Sequence, residues 1–487
     1  MTAIWIAFIL YAGAAIFLGW RSFRRGGEGA DYWTASRNLS STSVGLSISA
    51  GFMSVSWSCV YAVQLFYWYG LGAIWLITIP WLLSLTGIYF LARRYHQLPA
   101  FSQPEMVGRR FGPTTRRFVA LALALVFLVW GGAEIYVAGT LLAPQMAVSK
   151  PVMILIISVV VGIYATLGGF RAVVATDKLQ YAIVSLYILA IGLLAIRGLS
   201  ASHLSLPDLG TPGTKSALGW AHLLSPGIAM VLVTFAAYLP GWLFETDLWV
   251  RVQAARDDRA ARRGVALAGV NALVFVGILP MFIGVAAISL FPLEGGFYPA
   301  VVGNEGDAIF AALVSSFAPA WLVVLVSVGL IAAAMSTIDT CANVMALSAA
   351  YDIFESHKRP NGHVWSRAAT AGAVGAAFVF ALNTESLWDI FYLSSGVLTT
   401  AVAFPVAAVF IPQADRRGVL WSSIGGLAGI IAAYFLEMYG PLSSWEPQWL
   451  ADTGLGFILW GILAAVIGYG SGSLVTRHHH SRKDPKS

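Results

Sequence analysis

Apolar runs long enough to cross a bilayer recur along nearly all of this 487-residue chain, and they constrain its fold more than any motif does. One helical crossing of ~30 Å of hydrocarbon takes about 20 mostly apolar residues. Composition agrees: 58% of residues are hydrophobic and 11% charged, against roughly 25% charged in soluble domains. The chain therefore reads as an all-α polytopic membrane protein, built as one membrane domain in contact with lipid. The two cysteines, Cys59 and Cys341, both lie in apolar segments, which gives neither a disulfide framework nor a CxxC metal site.

Thirteen spans are expected, at about 3–20, 43–69, 71–92, 118–146, 151–168, 173–198, 225–250, 264–290, 307–352, 364–383, 387–412, 419–438 and 454–475. The ninth is too long for one crossing and divides into a short external helix near 307–319 and a span from about Trp321. Alternate loops are basic: 26 of the 29 Lys and Arg residues fall on one side, leaving Lys150, Arg197 and Lys215 on the other. The positive-inside rule makes the rich side cytoplasmic. An odd number of spans then puts the N-terminus outside and the C-terminus inside, in a cell (inner) membrane. The net charge of +6 is thus a set of topology determinants, with no nucleic-acid partner. The first span lacks a basic region before it, so it reads as a membrane helix and not as a cleaved signal.

Two spans carry breaks. The second, "VGLSISAGFMSVSWSCVYAVQLFYWYG", has Gly51 amid five serines. The seventh, "GIAMVLVTFAAYLPGWLFETDLWVRVQ", has Pro240-Gly241 at mid-membrane. Proline removes a backbone donor and glycine weakens a helix. Unwound backbone at that depth is tolerated only where protein buries it or a cavity is lined by it. A pair of kinked helices would read the same way, but the breaks lie five spans apart. That spacing fits two inverted five-helix repeats, whose half-helix ends face substrate and whose freed carbonyls bind cations. The divisions are then 1–42 (an extra helix and a cytoplasmic loop), 43–198 and 199–413 (the repeats), 414–475 (two further helices) and 476–487 (a disordered tail).

Three stretches carry a family resemblance. "GGFRAVVATDKLQ" (Gly168–Gln180) matches a GG-x-x-AV-x-x-TD-x-x-Q pattern. "FETDLWVRVQAARDDRAARRG" (Phe244–Gly264) resembles a helix exit with an aromatic, a basic residue and a charged loop. "AAAMSTIDT" (Ala332–Thr340) resembles a sodium-binding stretch. The chain resembles the solute:sodium symporters, the group of bacterial proline, sialic-acid, galactose and pantothenate carriers. The resemblance implies a leucine-transporter-type fold with one helix ahead of a ten-helix core. It also implies sodium-coupled import of a small solute by alternating access, with no enzymatic step.

Helical spacing puts Ala333, Ser336 and Thr337 on one face. Sodium, a hard cation, prefers oxygen ligands, by the logic that holds for calcium and magnesium. The resemblance places two further carbonyl ligands in "SAGFMS", on Ala50 and Met53. Phe52 stands where the proline carriers have an aspartate, which removes a nearby negative charge. Asp339 and Thr340 form a second group with Ser336, and the resemblance adds Asp177 to it. Asp339 replaces a hydroxyl found in other members, so this group is a candidate site for a second cation or a proton. Alternatively, Asp339 simply bonds a neighbouring helix.

Glu134, in "LVWGGAEIYVAG", is an intramembrane carboxylate and so a functional candidate. It either receives a substrate amine or bonds a neighbouring helix. Ser54, Trp57, Tyr238 and Trp242, which flank the two breaks, are the other candidates for the substrate pocket or its gates; packing alone is the alternative for the aromatics. With no Lys or Arg deep in the core spans, apart from Lys178 and Arg251 near cytoplasmic ends, a substrate carboxylate would be met by helix N-termini and hydroxyls. The favoured solute is an amino acid or related carboxylate. The alternatives are a sugar or sialic acid, or a solute-sensing domain that signals through a separate partner. No GxGD pattern supports an intramembrane aspartyl protease, and no P-loop supports an ATP-driven pump. A monomer suffices on this reading.

Overall fold

The apolar runs form helices, and among the described residues no β-strand occurs. The computed structural model describes residues 2–25, 32–33, 37–98, 100, 102–206, 223–303, 305–384 and 387–483, with backbone alone for 25, 387–390 and 475–483. Ten of these helices are long and apolar enough to cross a membrane, or eleven if one bent pair counts as a span. Lys215 lies outside the described residues.

In chain order the main helices begin with α1 (Thr2–Arg25), α2 (Ser41–Phe52), α3 (Val55–Trp75), α4 (Thr78–Gln97) and α5 (Gln103–Phe111). Next come α6 (Pro113–Met146), α7 (Lys150–Ala201), α8 (Ile228–Leu243) and α9 (Thr246–Gln253). Then follow α10 (Asp258–Leu290), α11 (Ile309–Phe317), α12 (Ala320–Ile353) and α13 (Gly362–Ala381). The last are α14 (Phe391–Ala408), α15 (Arg416–Tyr439) and α16 (Gly456–Lys483).

Burial separates a core from a rim. The most apolar window of α12 is 67% buried and that of α14 83%, whereas α15 reaches 33% and α16 28%. A helix that is apolar all round and buried belongs to the middle of a bundle. α12 packs along α6, α7 and α13, while α15 and α16 pack chiefly on each other at the edge. The expected ninth run divides at Ala318–Pro319, close to where its length required.

Several boundaries differ from the expectation. The third run becomes helical only at Thr78, after a short 3₁₀ stretch at Gly70–Trp75. α16 continues to Lys483, so 476–483 is helical where a disordered tail is expected. The runs 151–168 and 173–198 join in α7 across Gly169 at φ +55°, where a Cβ would stand 2.6 Å from the Tyr32 carbonyl oxygen. Only glycine meets both demands.

The two breaks also fall elsewhere than expected. α2 runs through Gly51 and stops at Phe52; Met53 and Ser54 are non-helical, and α3 departs at 61° to α2. A Cβ on Gly51 would find only ordinary contacts of 3.7 Å or more, so Gly51 is not what bends the chain. α8 runs through Pro240 and Gly241 to Leu243, and the break lies at Phe244–Glu245. Thr399 of α14 explains why the proline does not break the helix. Its hydroxyl donates to the Ala237 carbonyl (2.6 Å) and accepts from the Gly241 N–H (3.0 Å), bridging the pair that a regular turn would join directly.

Candidate sodium and substrate site

Chain direction puts the start of α3 and the end of α2 face to face at the first break. A helix start leaves N–H groups without intrahelical partners. Here Glu134 of α6 supplies them: its carboxylate accepts from the N–H groups of Val55 (3.2 Å) and Ser56 (3.1 Å) and from the Ser56 hydroxyl. Ser54 caps the same turn by accepting from the Trp57 N–H (2.9 Å). The first turns of α3 are π-helical, a distortion frequent at functional sites. Glu134 is 1% exposed and stands in the wall of a central cavity.

The second break is held from other sides. The freed carbonyls of Leu243 and Phe244 accept from the Tyr95 hydroxyl (3.1 Å) and the Gln103 amide (2.7 Å). Three charged residues follow within seven positions: Glu245, Asp247 and Arg251. Arg251, expected near a cytoplasmic helix end, is 1% exposed. Its Nε donates to Ser47 (2.8 Å), and its Nη1 to the Asp247 carbonyl and carboxylate (3.2 Å each). Its Nη2 reaches Asp177 (3.4 Å) and Thr340 (2.8 Å). A guanidinium has five N–H groups in a fixed fork, and all five find acceptors on α2, α7, α9 and α12. A buried charge is tolerable only when paired and hydrogen-bonded in this way.

The hydroxyls of "AAAMSTIDT" meet the carbonyls at the end of α2. Ser336 donates to Ala50 (2.9 Å) and Ala333 (2.8 Å); Thr337 approaches the carbonyls of Gly51 (3.1 Å) and Ala333 (3.4 Å). Adjacent oxygens in an octahedral shell with ~2.4 Å contacts lie about 3.4 Å apart, so this group fits a hard cation. The Met53 N–H is bonded to the Ser49 carbonyl. The carbonyl of Gly51, which the sequence did not suggest, joins the group through Thr337.

Asp177, Asp339 and Thr340 lie one turn further along. Thr340 donates to the Ser336 carbonyl (2.9 Å) and accepts from Arg251. Asp177 accepts from Ser47 and Arg251. Asp339 accepts from Tyr164 (2.7 Å) and Thr176 (3.4 Å), both on α7. One oxygen of each carboxylate is buried without a hydrogen-bond partner. Asp352, at the basic edge, is bound by Arg116 (2.9 Å) and Ser102 (2.6 Å) and stands apart from this group.

Between the two breaks lies a partly open cavity. Ser54, Trp57, Glu134 and Trp242 line it, as do Gly51 and Thr337 of the cation group. Tyr238 does not line the cavity; it stacks behind Trp242 at 4.3 Å and touches Tyr61 through its hydroxyl (3.4 Å). Sequence reasoning missed Glu245, Asp247, Trp81 and Trp130 in the wall. The charged trio at the end of the seventh run was a visible signal.

Comparison with known proteins agrees with this architecture. The family description "Sodium:solute symporter family" matches residues 32–426. The sodium/sialic acid symporter NanT of Aliivibrio fischeri is 20% identical over 96% of this chain and 92% of its own length. Human sodium/glucose cotransporter 4 is 24% identical over 85% of this chain, which spans only 65% of that protein. The solved structure of a sodium-coupled sialic acid symporter, substrate-bound and outward-open, aligns with a TM-score of 0.73 at 16% identity, covering 97% of each chain. At that identity the structural likeness speaks for the fold alone. On the family match, the chain belongs to the sodium:solute symporters, membrane carriers of the leucine-transporter-type fold with sodium as coupling ion, and not enzymes.

Proposed function

We propose that this chain imports a small, polar, non-anionic solute together with sodium, by alternating access around the central cavity. One observation carries the coupling: Gly51 and Thr337 belong both to the oxygen group that suits sodium and to the wall of the cavity. Ion and solute would then order the same two residues, and each would tighten the other by the same factor. On this reading sodium is held by Ala50, Gly51, Met53, Ala333, Ser336 and Thr337. Arg251 already bonds Asp177 and Thr340, so the group these form with Asp339 takes a second cation or a proton only when the guanidinium withdraws.

The charge of the wall argues against an anionic solute. The N–H groups that would meet a carboxylate at the start of α3 are already bonded to Glu134. No Lys or Arg is among the residues lining the cavity. Among the named relatives, this favours the uncharged sugar over sialic acid. The amino acid or other carboxylate expected from the sequence is the less supported reading.

The membrane arrangement belongs to the same proposal. The 52-residue α7 is about 78 Å long at 1.5 Å per residue, enough for two crossings bent at Gly169. Two crossings in α7, the bent α2–α3 pair, and α4 bring the ten qualifying helices to thirteen. The N-terminus is then outside, the inverted repeats occupy 43–198 and 199–413, and a single chain holds the complete site.

The test is uptake into liposomes under a sodium gradient, with solutes first screened by thermal shift in sodium and in potassium. Ser336→Ala and Thr337→Ala should each lower sodium affinity at least tenfold. Solute affinity at saturating sodium should change less. Uptake indifferent to the gradient and to both substitutions would refute the proposal.

A further inference from the structure

Resting on the symport reading, we infer that the solute is an organic ammonium cation, received by Glu245 inside a box of aromatic rings. The first observation is the shape of the box. Trp242 meets Trp57 at 5.2 Å and 86°, and meets Trp81 at 4.9 Å and 88°. Trp57 in turn meets Phe391 at 4.9 Å and 82°. Rings set at right angles wall a space with π faces on several sides. All four line the cavity, and Trp130 adds a fifth ring. Tyr238, stacked flat at 10° behind Trp242, holds that indole in place. Aromatic faces attract cations, and cages of this kind suit ammonium groups better than sugars or anions.

The second observation is a carboxylate pair. Glu245 lines the cavity and is 7% exposed; its Oε2 is buried and receives no donor, and its carboxyl group meets that of Asp247. The other two carboxylates of the wall are engaged: Glu134 accepts two backbone N–H groups, and Asp247 is bridged to Arg251. Two carboxylates side by side in a low-dielectric wall cannot both stay charged cheaply unless a proton or a cation joins them. An ammonium group entering the cavity supplies that cation.

The third observation is the charge balance. Arg251 stands behind the wall and is shared between Asp247, which lines the cavity, and Asp177, so the three wall carboxylates Glu134, Glu245 and Asp247 have at most one compensating charge among them. One sodium beside Thr337 offsets one of the remaining charges, and a monovalent organic cation offsets another. A neutral solute would leave Glu245 and Asp247 to share a proton.

The experiment is a thermal-shift titration of the purified full chain, in sodium and in potassium. The probes are (2-hydroxyethyl)trimethylammonium, its neutral carbon isostere 3,3-dimethylbutan-1-ol, n-butylammonium, glucose and N-acetylneuraminate. The expected result is stabilisation by at least one ammonium probe, with the matched neutral alcohol weaker by tenfold or more. Glu245→Gln should reduce that preference at least tenfold. Trp57→Leu, which leaves the carboxylate in place, should reduce ammonium affinity about 3- to 30-fold and the neutral alcohol's by less. The inference is overturned if neither ammonium probe binds. It is equally overturned if the neutral alcohol, glucose or N-acetylneuraminate binds as tightly as the ammonium probes, or if both variants keep the wild-type preference. Ammonium binding that is equal in sodium and potassium would support the substrate class and count against symport. Sodium-dependent binding of glucose would do the reverse.

Discussion

The two breaks solve one physical problem in opposite ways. Each leaves helix-end groups unsatisfied at membrane depth, and each has a glutamate beside it. At the first break Glu134 reaches in from α6 and is consumed by the task, bonding two backbone N–H groups and a hydroxyl. At the second the freed carbonyls go to Tyr95 and Gln103, and Arg251 with Asp247 anchors the inner half-helix. Glu245 is left with one oxygen that receives no donor, its carboxyl group set against that of Asp247 in the cavity wall. A carboxylate that completes the fold is not free to recognise a ligand, whereas one set against a second carboxylate costs stability and is available for a cation. The first break is therefore the structural one and the second the receptive one.

The inner half-helices on either side of these breaks also form a unit. Leu39, just ahead of α2, exchanges backbone hydrogen bonds with Ala254 and Arg256 beyond α9 (2.9 Å each). Arg251 of α9 holds Ser47 of α2. Any opening toward the basic side that moves α2 and α9 together away from the helices around them breaks Arg251 from Asp177 and Thr340.

The largest effect that would sharpen this contrast is expected from Arg251→Ala. It strands Asp177 and Asp247 in the interior, and breaking a buried ion pair costs about 3–5 kcal/mol. Poor recovery or a large fall in melting temperature is the readout; a stable variant would show that the guanidinium does not hold the inner side. Next comes Glu134→Ala, which frees the Val55 and Ser56 N–H groups at about 1–3 kcal/mol. Glu134→Gln, which keeps an acceptor, should recover part of that loss. If Ala and Gln melt alike, the carboxylate is not capping α3. Thr399→Val removes the bridge at Pro240 and should cost about 1 kcal/mol, measured by the same melt. Smallest, and opposite in sign, is Glu245→Gln. Relieving the contact between two buried carboxyl groups should leave stability unchanged or raise it by up to about 1 kcal/mol. A substantial loss there would make the two breaks alike and erase the distinction.

Local periodicity was enough for much of this. The apolar runs gave the helices, since hydropathy over about 20 residues needs no tertiary information. Helical spacing gave the face of Ala333, Ser336 and Thr337, and family resemblance led to Ala50 and Asp177. The positions of the breaks were not legible in the same way. Gly51 and Pro240-Gly241 looked like the weak points, yet α2 and α8 run through them, because packing and the Thr399 bridge stabilise those turns.

What the sequence by itself determined is a polytopic helical protein with a candidate cation face, because those properties depend on residues within one or a few turns of each other. Tertiary structure alone decided which carboxylate is spent and which is free. Glu134 meets Val55 and Ser56 across 79 and 78 positions, and Arg251 meets Ser47 across 204. Whether a buried charge is a structural brace or a ligand's partner depends on who stands within hydrogen-bond reach, and at these separations only the folded bundle brings the partners together.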